Sequence, residues 1–440
     1  MRIQIANKTM FTNALTSIFP QLHLSEVNGF TIDSRLVENG DIYLPIKGEN
    51  VDGHDFIPQA ISNGASLIFS EQSSTDRLAE VVYVDSTLHT LKKLAMAYGE
   101  QVKSPIIGIT GSNGKTTTKE LLNHVLSAHK KTMCTTGNYN STIGLPISIF
   151  TIAGDEDLCI LEMGASECNE IAELCRIAKP NMGLITNISA AHTENIGSIE
   201  NVAKTKSHLF ASLTQDGTAF VNIDDDYIST FSTNAEVVTF GFNSNADFKG
   251  EYKNGKLKIN NDEILVDISS EIMAKNILAI FPIAISVGIS PNEIKKMVGT
   301  FKAPIGRGQV IIHNEITIID DTYNSNLESA KAGIDILSQY DGNQKIAIMG
   351  DMFELGELAQ DHHRELGEYI SSSNIDMLMA VGDLTQLTID AAQKINSTFF
   401  HTKDELINEL RKIKKPGDVV YVKGSRGMKM ETIIEKGLLK

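Results

Sequence analysis

The chain has 440 residues, more than one ordinary core takes up, so two or three domains are expected. Its composition is globular, 42% hydrophobic and 21% charged with no Trp, and its net charge of −16 argues against nucleic acid or an anionic membrane as main partner, since either selects a basic face. Local Lys and Arg can still hold an anionic substrate. The N-terminus lacks the basic and then apolar layout of a signal peptide. The longest apolar run, residues 277–289, is too short for a membrane span and contains Pro282 and Gly288. Cys134, Cys159, Cys168 and Cys175 form no C-x-x-C pair, which predicts free buried thiols in a reducing cytoplasm; a monomer is expected.

In chain order, residues 1–97 read as a small α/β unit that holds a ligand, with short strands, a turn-rich middle and helices near 57–64 and 88–98. Residues 98–303 alternate strand and helix, the pattern of a mostly parallel sheet. Strands are predicted over 105–110, 157–162, 182–188 and 218–223, helices over 117–129, 198–213 and 271–287, and antiparallel strands over 248–268. Residues 304–440 read as a third, Rossmann-like α/β unit. It opens with a hairpin through Asn314 and Glu315 and has helices over 327–337, 361–371, 384–394 and 405–413 and strands over 345–349, 377–381 and 418–422. It carries no G-x-G-x-x-G fingerprint. The fold class expected is therefore α/β in three domains, the central one a P-loop ATPase.

That last expectation rests on Gly108-Ile-Thr-Gly-Ser-Asn-Gly-Lys115-Thr116-Thr117, which follows an apolar strand and runs into a helix. Gly111, Ser112, Asn113 and Gly114 would turn backbone N–H groups onto phosphate oxygens, helped by the helix N-terminus and Thr117. Lys115 would reach the outer phosphates and Thr116 would ligate Mg²⁺. Ile109 stands where G-x4-G-K-[ST] has its first glycine. Glu162, at a strand end, can take Mg²⁺ from Thr116 and the phosphates. Read alone, His192 is a surface or capping residue, and Lys204 and Lys206 are solvated helix lysines.

Thr110-Gly-Ser-Asn-Gly-Lys-Thr116, Glu162-Met-Gly, Asn187 with His192, and Val202-Ala-Lys-Thr-Lys206 resemble the Mur ligase family, and the likeness runs through all three domains. That resemblance implies a UDP-sugar-binding domain, a central ATPase and a C-terminal Rossmann-like domain, with ATP and Mg²⁺ driving amide formation. It gives Thr116 and Glu162 to a first Mg²⁺, and Glu162, His192 and a carboxylated Lys206 to a second. It assigns Asn276 to adenine, Arg307 to the phosphates from across the cleft and Asp321 to the ribose. The chain departs from the family at Ile272-Met-Ala-Lys-Asn276, which keeps the last residue alone of His-Asn-x-x-Asn.

Asp320-Asp-Thr-Tyr-Asn-Ser-Asn326, residues 349–356 and residues 422–430 resemble the branch of the family that adds D-alanyl-D-alanine to UDP-N-acetylmuramoyl-tripeptide through an acyl phosphate. Gly137-Asn-Tyr-Asn140, with Asn138 and Asn140 as substrate contacts, agrees. By the same resemblance Ser34, Arg35, His54, Asp55 and Phe56 are candidates for the uridine diphosphate, and Asn324 and Asn326 for the dipeptide. Two competing readings are a sibling ligase adding another residue, against which the missing D-N-P-R motif speaks, and a scaffold that has lost catalysis, against which Lys115, Thr116, Glu162, His192 and Lys206 speak.

Overall fold

A computed structural model describes residues 1–22, 27–48, 50–72, 79–190, 193–243, 245–253, 255–260, 262–265 and 271–439. Three sheets follow one another along the chain. The first has strands β1 (Arg2–Gln4), β2 (Gly29–Thr31), β3 (Ile42–Tyr43), β4 (Leu67–Ser70) and β5 (Glu80–Tyr83) side by side in sequence order, antiparallel only between β1 and β2. Helices α1 (Lys8–Ile18), α2 (Ile57–Ser62) and α3 (Thr87–Gly99) pack on it. Phe11 of α1, Phe30 of β2, Tyr98 of α3 and Phe150 form an aromatic cluster with centroids 5.0–6.5 Å apart. Phe150 belongs to the central unit, so one apolar core runs unbroken from the first sheet to the second.

The second sheet has strands β6 (Ile106–Thr110), β7 (Thr132–Cys134), β8 (Leu158–Glu162), β9 (Met182–Ile185), β10 (Thr218–Asn222), β11 (Glu236–Gly241), β12 (Phe248–Lys253), β13 (Lys256–Ile259) and β14 (Asp262–Leu265). Their order is β14-β13-β12-β11-β10-β9-β6-β8-β7, parallel from β12 to β7 and antiparallel at β13 and β14, as the sequence predicts; of the predicted run 248–268, residues 254, 261 and 266–268 lie outside the described residues. Helices α4 (Lys115–Ser127), α5 (Gly144–Ile149), α6 (Glu170–Ala178), α7 (Thr193–Ile196), α8 (Ile199–Ala211), α9 (Glu271–Ser286) and α10 (Pro291–Val298) cover both faces. The chain steps from β8 across β6 to β9. The carboxyl ends of these three strands therefore open a crevice at the switch point, where such sheets bind ligands.

The third sheet, β15 (Gln309–His313), β16 (Ile316–Asp321), β17 (Lys345–Gly350), β18 (Met377–Val381), β19 (Asn396–Phe400) and β20 (Val419–Lys423), has the order β15-β16-β20-β17-β18-β19. Asn314 and Glu315, both at positive φ, turn the predicted β15–β16 hairpin. Helices α11 (Leu327–Gln339), α12 (Ala359–Ser371), α13 (Thr385–Ala391), α14 (Lys403–Ile413) and α15 (Glu431–Ile433) complete it, and separate cores fill its two faces. The helices α1, α5, α6, α7, α10 and α15 and the strands β7, β11 and β19 go beyond the sequence prediction. The half-exposed, polar Asn396–Phe400 shows why for β19, because an edge strand need not alternate cleanly. No described helix is long and apolar enough to cross a membrane.

Candidate active site

Between β6 and α4 the chain turns through Gly111 at φ 148° and Gly114 at φ 80°. A Cβ on Gly111 would stand 1.9 Å from Thr186 Oγ1, so this turn has no room for a side chain there. The turn is braced by Asn187 after β9: its carbonyl accepts from Ser112 N at 2.9 Å and its Oδ1 accepts from Asn113 N at 3.0 Å. The Lys115 ammonium donates to the carbonyls of Gly111 at 2.7 Å and Ser112 at 3.3 Å, folded back into its own loop. Burial pulls its pKa down, opposed by Glu162 and reinforced by Arg307. The first N–H groups of α4 have no helical acceptor, which together with Lys115 makes this loop an anion site.

Glu162, at the end of β8, is 1% exposed. Its Oε1 accepts from Asn140 Nδ2 at 2.6 Å and Thr116 Oγ1 at 3.2 Å, while its buried Oε2 has no hydrogen-bond partner among the described residues. A carboxylate with one oxygen on a Thr hydroxyl and the other without a hydrogen-bond partner suits a hard, oxygen-seeking cation that keeps water and phosphate as its other ligands. The described residues hold no group of three or more His, Cys, Asp or Glu that could bind a metal by themselves. His192 lies outside the described residues.

Lys206 corrects the reading of it as a solvated helix lysine. It is 2% exposed on the inner face of α8, with no hydrogen bond or ion pair to a described residue. Burial first, and then the neighbouring Lys115 charge, push its pKa well below the lysine range. Lys204 stays exposed.

The C-terminal unit completes the cleft. Arg307 stacks 3.7 Å over the Tyr323 ring and donates to Thr116 Oγ1 at 3.4 Å, and Asn326 Nδ2 donates to Asn113 Oδ1 at 2.9 Å. Asn326 also caps α11 through Ser329 N. Asp321 and Lys423 are partners in register on β16 and β20, which sets the ammonium 2.5 Å from Asp321 Oδ2; the Tyr421 hydroxyl donates to the same oxygen at 2.9 Å. The enclosed space is about 830 Å³, lined also by Asn138, Asn276 and Asn324. Asn276 accepts from Thr118 Oγ1 at 3.2 Å.

The N-terminal candidates sit apart from this cleft. Ser34 donates to Gln59 Oε1 at 2.7 Å, and exposed Arg35 pairs with Asp33. His54 has both ring nitrogens engaged, Nδ1 with Asp52 at 2.6 Å and Nε2 accepting from Glu71 N at 3.1 Å, so its ring braces the fold. Asp55 and Phe56 are exposed beside it. Tyr323, Tyr421 and Lys423 line the cleft without having been singled out from the sequence; the run 422–430 that holds Lys423 was the available signal.

Three families match in tandem: "Mur ligase family, catalytic domain" over residues 26–104, "Mur ligase middle domain" over 109–282 and "Mur ligase, glutamate ligase domain" over 306–426. The chain belongs to the Mur ligase family. This Mur ligase is 31% identical to the UDP-N-acetylmuramoyl-tripeptide–D-alanyl-D-alanine ligase of Bacillus subtilis, covering 94% of each chain. It is 30% identical to the ligase of the same name from Synechocystis, covering 98% of this chain and 96% of that one. Its fold matches a crystal structure of MurF from Acinetobacter baumannii with a TM-score of 0.89, at 28% identity and 99% of both chains. It also matches the MurF ligase of Thermotoga maritima in complex with ADP, with a TM-score of 0.82 at 29% identity, covering 92% of this chain and 96% of that one.

Proposed function

We infer that this Mur ligase uses ATP to join D-alanyl-D-alanine to UDP-N-acetylmuramoyl-tripeptide, in the cytoplasmic synthesis of peptidoglycan precursors. What carries it is that relatives of that name match almost end to end; Lys115, Thr116, Glu162, Arg307 and Asp321 lining one cleft support it. Residues 1–97 would take the UDP-sugar end of the substrate, residues 98–303 the ATP, and residues 304–440 the dipeptide.

The terminal carboxylate of the tripeptide attacks the γ-phosphorus of ATP, and the bond to ADP breaks. The amine of D-alanyl-D-alanine then attacks the acyl phosphate carbonyl, loses a proton and expels phosphate. Lys115 and the first turn of α4 offset charge on the phosphoryl group, and Arg307 adds a cation from the other domain. Asp321, held by Lys423 and Tyr421, would accept from the ribose. Asn276 would meet the adenine; Ile272 and Met273, which stand where the family has a polar pair, line the same cleft. Closure of the two domains on the cleft keeps water from the acyl phosphate.

Thr116 and Glu162 fit a Mg²⁺ ion, which when bound would neutralise charge on the phosphates. Lys206 suits carboxylation. Its unpaired amine is biased to the neutral form, which attacks CO₂, forms an N–C bond and releases a proton, leaving a carbamate anion. That anion would turn repulsion from Lys115 into attraction and give, with Glu162 and His192, a second Mg²⁺ site. The test is phosphate release with each pair of substrates. Turnover that needs both D-alanyl-D-alanine and the UDP-muramoyl-tripeptide is expected, and turnover with a free diamino acid and the UDP-muramoyl-dipeptide would overturn the assignment.

A further inference from the structure

Lys119 has no exposed surface, and no step above uses it. It lies one turn beyond Lys115 on α4. Its ammonium donates to the carbonyls of Thr135 at 2.5 Å and Gly137 at 3.2 Å, pairs with Glu120 Oε1 at 2.9 Å and stands 3.8 Å from Glu162 Oε2. A buried ammonium is unfavourable unless it is paired, and here oxygens from three parts of the chain face it. Two of those parts are already tied together. Thr135 Oγ1 accepts from Glu162 N at 3.1 Å, and Asn140, at the far end of the same segment, donates to Glu162 Oε1 at 2.6 Å.

The contact with Glu162 decides what this junction does. At 3.8 Å the ammonium is outside hydrogen-bond reach, so it attracts Oε2 and leaves the lone pairs of that oxygen open. The other carboxylate oxygen is fixed by Asn140 and Thr116. One acid is thus oriented by donors on one oxygen and by charge on the other, the arrangement of groups that aim a metal ligand without occupying it.

We propose that Lys119 is a positioning residue for the ligase reaction. It locks the segment carrying Asn138 and Asn140 to the phosphate-loop helix, and by attracting Oε2 it fixes the orientation of the Glu162 carboxylate beside Thr116. The proposal rests on the reading of Thr116 and Glu162 as the Mg²⁺ site, and its test separates the two. ADP binding to the full chain is measured by calorimetry with and without Mg²⁺, for wild type, Lys119→Met, Lys119→Gln and Lys119→Arg, with circular dichroism to check folding.

Wild type should bind ADP more tightly with Mg²⁺. Lys119→Met should keep its metal-free ADP affinity within about twofold and lose about tenfold or more of the gain from Mg²⁺, the range seen when groups behind a metal ligand are removed. Lys119→Arg should recover part of that gain, and kcat should follow the gain across the series. No Mg²⁺ gain in wild type would remove the metal reading itself. A wild-type gain retained by either charge-free variant would overturn the role of Lys119 alone. Equal losses with and without Mg²⁺, or failure of both Met and Gln variants to fold, would also overturn it in favour of a purely structural lysine.

Discussion

Two buried lysines, Lys423 of the C-terminal unit and Lys206 of the central unit, are treated oppositely. Lys423, on the C-terminal side, is 2% exposed and fully engaged, with Asp321 at 2.5 Å and the Asn324 carbonyl at 2.9 Å. Lys206, on the central side, is also 2% exposed, yet it has no partner among the described residues and Lys115 repels its charge. A paired buried cation belongs to the framework, and its removal strands the partner. An unpaired one costs stability, and only a ligand or a covalent change can complete it. The Lys423 pair is therefore complete before substrate arrives.

The largest effect should come from Lys115→Ala, which removes the cation meant for the phosphates. Turnover should fall about 10²–10³-fold, read as ADP formation, with the folding transition preserved. Near-normal ADP formation would remove the contrast at its root.

Lys206→Met and Lys423→Met break the comparison from both ends. Lys206→Met should lose most activity while urea unfolding shows unchanged or higher stability, because a lone buried amine has been replaced by an apolar chain. Lys423→Met should lose roughly 1–3 kcal/mol in the same unfolding experiment, since Asp321 keeps only Tyr421. Equal destabilisation by both would mean that Lys206 has a partner after all. A carbon-13 carbamate signal on Lys206 in protein prepared with labelled CO₂ would show what completes it, and an unmodified ammonium in active enzyme would rule the adduct out.

A pH series sharpens the same point. The folded pKa of Lys206 lies below the ordinary 10.5 of the unfolded chain, so between the two values the unfolded state binds more protons. Stability in CO₂-free buffer should therefore rise with pH across that window, and Lys206→Met should lose this part of the slope. The difference between the two unfolding curves isolates Lys206 from Lys115.

Smaller effects belong to the bridge between the sides. Tyr323→Leu removes the ring under Arg307 and should lower kcat by less than about thirtyfold, the scale of a desolvated cation–π contact, while Tyr323→Phe stays near wild type. Equal effects would credit the hydroxyl instead of the ring. Asn326→Ala should cost about 1 kcal/mol of stability through the lost cap on α11. Because the same amide touches Asn113, ATP and dipeptide affinities should both weaken; a loss confined to the dipeptide would give Asn326 the narrower role predicted from sequence.

The order of elements was largely legible, because buried parallel strands and amphipathic helices carry their own periodicity. The α1 helix shows the limit. Met10, Phe11, Ala14 and Leu15 line its buried face, but the intervening Thr and Asn residues blur a pattern only eleven residues long. Arg307 and Asp321 were reached through the family likeness. Tyr323 and Lys423 lie in runs that resemble the family, but a ring under a guanidinium and a register pair across two strands have no local signature of their own.

What the sequence determined by itself is the phosphate loop. Gly111, Gly114, Lys115 and Thr116 act within a few residues of one another, through backbone dihedrals and a helix terminus, and short-range steric rules decide those. Whether a lysine is solvated, paired or stranded was decided only by the tertiary structure. Lys204 and Lys206 lie two residues apart on one helix and read alike, yet one faces solvent and the other is sealed from it. Lys423 meets Asp321 from 102 residues away. Desolvation and charge pairing depend on which distant segments pack over a side chain, and these set the chemistry of each amine.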